Sequence, residues 1–138
     1  MSARAAARTA PCGQAEARIR IADARAQLQL SQLATTSSEP EEAKAGISCA
    51  VLAGIAAADA ACCKALGRTN RSQSHHDAVA LLGQVEPGGD DAAKHLQRLL
   101  ALKEESQYGF GVVGGQKLTQ AQRRAESLVG FAEGVLRR

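Results

Sequence analysis

Apolar residues return along this chain at three- and four-residue steps, the period of one face of an α-helix, in four successive stretches. Between about Gln14 and Ala34 the stripe is Ile19, Ala22, Ala26, Leu30 and Leu33, with Arg18 and Arg25 off it. The pattern predicts that this stripe faces a core and that the polar run Thr35-Thr36-Ser37-Ser38 ends the helix. Ser38-Glu39-Pro40-Glu41 then has capping-box spacing, and Pro40 is tolerated in a first turn, where its missing N–H costs nothing. Ile47, Val51, Gly54, Ile55, Ala58, Cys62 and Ala65 line a second helix up to Gly67, a residue type that stops helices. Alanine surrounds that helix on all sides, so neighbours can approach closely from more than one direction, and it is the predicted centre of the fold.

A third helix opens at Ser74-His75-His76-Asp77, shows Val79, Leu81 and Leu82, and breaks at Pro87-Gly88-Gly89. Asp90 or Asp91 restarts it through Leu96, Leu99, Leu100 and Lys103 to about Tyr108. After a loop from Gly109 to Gln116, Thr119-x-x-Gln122 begins the last helix, with Ala121, Ala125, Leu128, Ala132 and Val135 on one face. Gly130 and Gly134 weaken it by about 1 kcal/mol each relative to alanine, for close packing or a frayed end. The reading is all-α: a four-helix up-down bundle with a broken third helix over residues 14–138, behind a disordered tail at 1–13.

Composition agrees. The 138 residues are 45% hydrophobic and only 2% aromatic, so the core must be built from Ala, Leu, Val and Ile at short range, which helices do better than strands. A net charge of +3 permits weak contact with RNA, but the basic residues are scattered rather than gathered in a stripe. Cys12, Cys49, Cys62 and Cys63 form no CxxC pair and no zinc spacing, and the adjacent Cys62 and Cys63 sit in an alanine-rich run. They read as buried reduced thiols, with no metal and no cofactor implied. No apolar run reaches the ~18–20 residues that cross a bilayer, and residues 1–12 lack a signal-peptide h-region. The expected address is the cytoplasm, with no membrane partner. Gly109-Phe110-Gly111-Val112-Val113-Gly114 spells GxGxxG but follows a helix, without the strand that a dinucleotide fingerprint needs.

Two places carry candidate chemistry. Asp59 interrupts an apolar helix at the edge of its buried stripe, and a carboxylate there needs a partner, either a structural Arg or His or a catalytic group that it orients. Arg68, Arg71, His75, His76 and Asp77 crowd one turn at a helix start, where backbone N–H groups favour anions. Arg68, Arg71 and His75 are the phosphate-binding candidates; a guanidinium holds phosphate oxygens while an imidazole exchanges a proton with a ribose hydroxyl. The competing reading is a solvated polar helix start. His95 reads as a surface or boundary residue.

Ala50-Val51-Leu52-Ala53-Gly54-Ile55-Ala56-Ala57-Ala58-Asp59-Ala60, the turn Arg71 to His76, and Leu99-Leu100-Ala101-Leu102-Lys103-Glu104-Glu105-Ser106-Gln107-Tyr108-Gly109 together resemble the HEPN superfamily of small four-helix domains. The resemblance runs from about Ala15 to Leu136. It implies one of two roles. Many members are metal-independent RNases whose dimers unite an Arg and a His separated by four to six residues; others are interaction or nucleotide-binding modules, often beside a nucleotidyltransferase or in toxin–antitoxin pairs. Arg71 and His76 have that spacing, although they precede the third helix rather than opening the last, and Ser72 follows the Arg. The expectation is therefore a homodimeric HEPN-like module that binds a protein partner or the phosphates of RNA. The alternative is an endoribonuclease with Arg71 on the phosphate, His76 as general acid or base and Asp59 orienting one of them; a further alternative is a plain bundle adaptor.

Overall fold

The computed structural model describes residues 8–107 and 115–138. Five α-helices and one small sheet are present among them: β1 (Thr9–Pro11), α1 (Gln14–Leu33), a 3-10 turn (Ala34–Thr36), α2 (Pro40–Leu66), β2 (Arg68–Asn70), α3 (His75–Leu82), α4 (Gly89–Gln107) and α5 (Gly115–Leu136). The predicted GxGxxG run falls on residues 109–114, outside the described residues.

α2 is the central element, as its all-round alanine predicts: α1, α3, α4, α5 and β2 all pack on it. Ile47, Val51, Ala53, Ala57, Ala60 and Ala61 are fully buried in it, against Leu82, Leu96, Leu99, Leu128 and Val135 from the surrounding helices. Gly54 sets the closest approach. A Cβ there would lie 2.5 Å from Leu99 Cδ2 and 3.1 Å from Leu128 Cδ1, so any side chain would force those leucines to shift. Gly67 ends α2 in the left-handed conformation, φ 72°, which glycine adopts without the clash a Cβ would bring. By length and composition this helix could cross a membrane, with a window of mean hydropathy 1.8, contrary to the expectation that no run is long enough; yet 72% of that window is buried inside the fold.

The first helix corrects the sequence reading. Ile19, Ala22, Ala26, Leu30 and Leu33 are exposed, and α1 instead buries Ala17, Ile21, Ala24 and Ser31. Apart from Ile21 the residues buried on this face are small, which suits the small-residue surface that α2 offers for close approach. Ser31 Oγ donates to the Gly46 carbonyl at 2.7 Å, and a Cβ on Gly46 would come within 2.7 Å of Ala34 Cβ. From α5, the buried Gln122 carboxamide donates to the Ser31 carbonyl at 2.8 Å and to Thr35 Oγ1 at 2.9 Å, tying α5 to the end of α1.

Several boundaries also move. The Ser38–Glu41 capping box does not form; Glu39 is the N-cap without a side-chain bond, and its N–H goes to Ser37 Oγ at 3.0 Å. α5 starts at Gly115, a turn before Thr119, whose hydroxyl bonds back to the Gly115 carbonyl at 3.0 Å. Gly130 faces open space rather than a close neighbour. The break at Pro87-Gly88-Gly89 and the buried face Ala121, Ala125, Leu128, Ala132 and Val135 are found as the pattern predicts.

The segment before α1 departs most from the reading of a disordered tail at 1–13. Residues 9–11 pair antiparallel with β2, Thr9 opposite Asn70 and Pro11 opposite Arg68. Cys12 N–H continues the ladder to the Gly67 carbonyl at 3.0 Å, and Arg71 N–H reaches the Arg8 carbonyl at 2.7 Å. Cys12 and Cys63 form a disulfide, so of the four expected thiols only Cys49 and Cys62 are free. The bond joins the start of α1 to the end of α2.

Candidate functional site

The turn from β2 into α3 is organised by short polar side chains. Asn70 Oδ1 accepts from the Ser72 N–H at 3.2 Å, and Ser72 Oγ accepts from the Ser74 N–H at 3.2 Å. The Ser72 hydroxyl meets the Asp77 carboxylate at 2.8 Å. These local bonds hold the backbone in a non-helical path up to Ser74, the N-cap of α3, and thereby present His75 and His76 on the first exposed turn.

His75 and His76 open onto a groove between α3 and α4 of about 520 Å³. Val79, Leu100 and Ala101 supply its apolar wall, while Gln97, Lys103 and Glu104 bring polar groups from α4. An ammonium, two imidazoles and a carboxamide thus share one open concavity with a single carboxylate. Lys103 and Gln97 were missed as site residues from sequence. Their only signal is position: Lys103 continues the α4 stripe of Leu96, Leu99 and Leu100 and Gln97 borders it, and nothing local says that α3 folds against them.

The remaining sequence candidates are placed otherwise. Both carboxylate oxygens of Asp59 are engaged: Oδ2 accepts from Arg20 Nε at 3.1 Å and from Arg20 Nη2 at 2.9 Å, and Oδ1 accepts from the Thr69 hydroxyl at 3.0 Å. The structural-partner reading of Asp59 is the one observed, with Arg20 on α1 as the partner. Arg68 donates to Gln84 Oε1 at 2.8 Å, and Arg71 is exposed, with its backbone tied to Arg8. Among the described residues neither Arg68 nor Arg71 lines the groove, so the structure joins His75 and His76 there but not with Arg68, Arg71 or Asp59.

Two other titratable groups are perturbed. Burial pushes the Cys62 thiol up to about 12, with the nearby Asp59 charge adding to it and Arg68 opposing. Cys62 is therefore a protonated, unreactive thiol beside the disulfide. His95, on α4, meets Arg124 of α5 with Nη1 to Nδ1 at 3.0 Å. A guanidinium can only donate, so Nδ1 accepts and the ring proton resides on Nε2. Burial, then the Arg124 charge, lowers the His95 pKa below the ordinary histidine value. The boundary position expected for His95 is found; its cross-helix partner was not legible. Among the described residues, no three His, Cys, Asp or Glu side chains gather as a metal site.

No protein-family model matches the chain, and no curated protein sequence does.

Proposed function

We propose that this chain is a HEPN-like helical module that binds phosphate-bearing ligands, RNA foremost, in the groove between α3 and α4 without cleaving them. The observation that carries the reading is the convergence of His75, His76, Gln97 and Lys103 on one concavity beside a helix start. Arg71, exposed at the approach to α3, adds positive charge without lining the groove. Glu104 opposes an anion and keeps the affinity modest. The finer architecture belongs to the same reading. Gln122 against Ser31, Arg25 against Glu133 and His95 against Arg124 are the pairings that support a four-helix up-down bundle with its third helix broken into α3 and α4.

The endoribonuclease alternative, with Arg71, His76 and Asp59, lacks its orienting carboxylate, because Arg20 and Thr69 occupy Asp59. Fluorescence anisotropy with a short single-stranded RNA tests the proposal. Lys103→Ala and a His75→Ala/His76→Ala pair should each weaken binding several-fold, and added salt should weaken it further. Unchanged affinity in both variants removes the groove as the site. Absence of any RNA binding by the folded protein favours the plain adaptor. Incubation with RNA in EDTA separates the enzyme reading: cleavage that disappears in His76→Ala would establish it, and intact RNA supports a binding module. Disulfides persist in oxidising surroundings, so the Cys12–Cys63 bond favours such a compartment over the expected cytoplasmic address. Alkylation of the protein as isolated from its native cells tests this.

A further inference from the structure

α1 carries two apolar faces and the fold consumes one. Ile19, Leu30 and Leu33 stand 62%, 52% and 70% exposed, and Leu52 of α2, which shares a hollow with Ala26, stands 48% exposed. Apolar groups of this size gathered along one helix mark an interaction surface. Ile19, Ala22, Ala26, Leu30 and Leu33 follow one another at spacings of three or four residues, the seam of a helix that packs against another helix.

We infer that this face binds a second copy of the chain, α1 against α1 and antiparallel, with a two-fold axis passing at Ala26. The spacing is self-complementary about that residue. Ile19 and Leu33 lie seven residues to either side of Ala26, and Ala22 and Leu30 lie four. An antiparallel pair therefore sets Ile19 against Leu33 of the second copy, Ala22 against Leu30, and Ala26 against itself. Large side chains meet at the ends, a large one meets a small one between, and two small ones allow close approach on the axis. Such a matching of one patch with itself is what a two-fold interface requires. A hollow of about 240 Å³ bounded by Ala26, Gln27, Leu52, Ala56, Arg20 and Asp23 adjoins the axis and offers a leucine of the second copy a hole to enter.

Charge points to the same orientation. The exposed Arg18 lies at the start of the stripe, and the exposed Glu39, Glu41 and Glu42 follow just beyond its end. Antiparallel pairing brings Arg18 of one copy, with Glu16 two residues before it, toward Glu39, Glu41 and Glu42 of the other, twice; parallel pairing would set those three carboxylates beside their own copies. Near the axis the flanking residues are Gln27 and Gln29, Arg25 is paired within the chain with Glu133, and Arg20 is shared between Asp59 and the exposed Asp23.

This inference goes beyond the groove reading and uses none of the groove's residues. Light scattering and sedimentation of the whole chain over a micromolar dilution series should give twice the 14.3 kDa chain mass. Leu30→Glu should halve that mass and leave helicity and thermal unfolding of the monomer intact, since the residue is exposed. Ile19→Lys and Leu33→Glu should each weaken the dimer at least tenfold, and the two combined in one chain should restore it, because position 19 faces position 33 of the second copy. A monomeric wild-type chain across the series, or a dimer indifferent to Leu30→Glu, overturns the inference. A double variant that stays monomeric overturns the antiparallel arrangement.

Discussion

α2 buries Ala, Val, Ile and Cys on nearly every side, whereas α1, lying along it, buries Ala17, Ile21, Ala24 and Ser31 and leaves Ile19, Leu30 and Leu33 in solvent. Both helices are apolar and periodic. They differ in what surrounds them: α2 has a neighbour in each direction, and α1 meets α2 and α5 along one flank. At Gly46, where α1 and α2 come close, the inner face of α1 carries Ser31 with Ala34 just beyond it, while Ile21 is buried farther along and Ile19, Leu30 and Leu33 lie outside. A stripe of large apolar residues therefore reports a surface to be covered, and leaves open whether this chain or another covers it.

The largest effect on this contrast comes from cutting the bond between the two helices. Cys12→Ser removes a cross-link that spans 51 residues, and the loop entropy regained by the unfolded chain is worth about 4 kcal/mol. Denaturant titration of the variant, or of wild type with and without reductant, reads it; an unchanged midpoint would mean that the bond contributes nothing. Next, Ile47→Ala on α2 should cost about 2–5 kcal/mol, while the same change at Ile19, measured in a Leu30→Glu background that keeps the chain monomeric, should cost less than about 0.5 kcal/mol. Equal losses would erase the distinction between the helices.

Smaller still is the ion pair that joins them. Asp59→Ala should destabilise by about 1–2 kcal/mol, because Asp59 is half-buried and holds both Arg20 and the Thr69 hydroxyl. Combining it with Arg20→Ala should cost clearly less than the sum of the two, as contact predicts. The smallest effect is a pH dependence. The Cys62 thiol keeps its proton in the folded chain up to about 12, whereas the unfolded thiol ionises near 9.0. Its contribution is fully present below 9.0 and declines as pH rises above that value, since only the unfolded state then releases the proton. The denaturation midpoint of wild type should accordingly fall more steeply above pH 9.0 than that of Cys62→Ala, and iodoacetamide should modify the half-buried Cys49 well before Cys62.

What could be read in advance follows the range of the interactions involved. The stop at Gly67, the break at Pro87-Gly88-Gly89 and the inner face of α5 are set by residues within a few positions of one another, and they stand where the pattern puts them. So does the central role of α2, where alanine on all sides lets neighbours approach from several directions. The inner face of α1 was misread because two stripes share that helix, and the choice between them rests on Gly46 and Ser31, which meet only in the folded chain. The same holds for the sheet and the disulfide, since Thr9 and Asn70, or Cys12 and Cys63, carry no local mark of their pairing. Of the candidate site, the two histidines and their helix start are legible in the sequence; Gln97 and Lys103 join the groove only because α4 rests beside α3. Asp59 was correctly seen to need a partner, and its identity had to come from α1.

The Cys12–Cys63 bond also determines how this protein would bear a load. Tension applied near residue 8 reaches Cys12 and crosses directly to Cys63, so the chain between those two residues, all of α1 and nearly all of α2, lies off the line of force. A molecule pulled from its two ends would lengthen by roughly 170 Å less than its residue count allows, and that hidden length would appear only when a reductant cut the sulfur link. The pairing that looks like a stitch at the edge of the fold would thus leave the central helix unextended while the rest of the chain is drawn out.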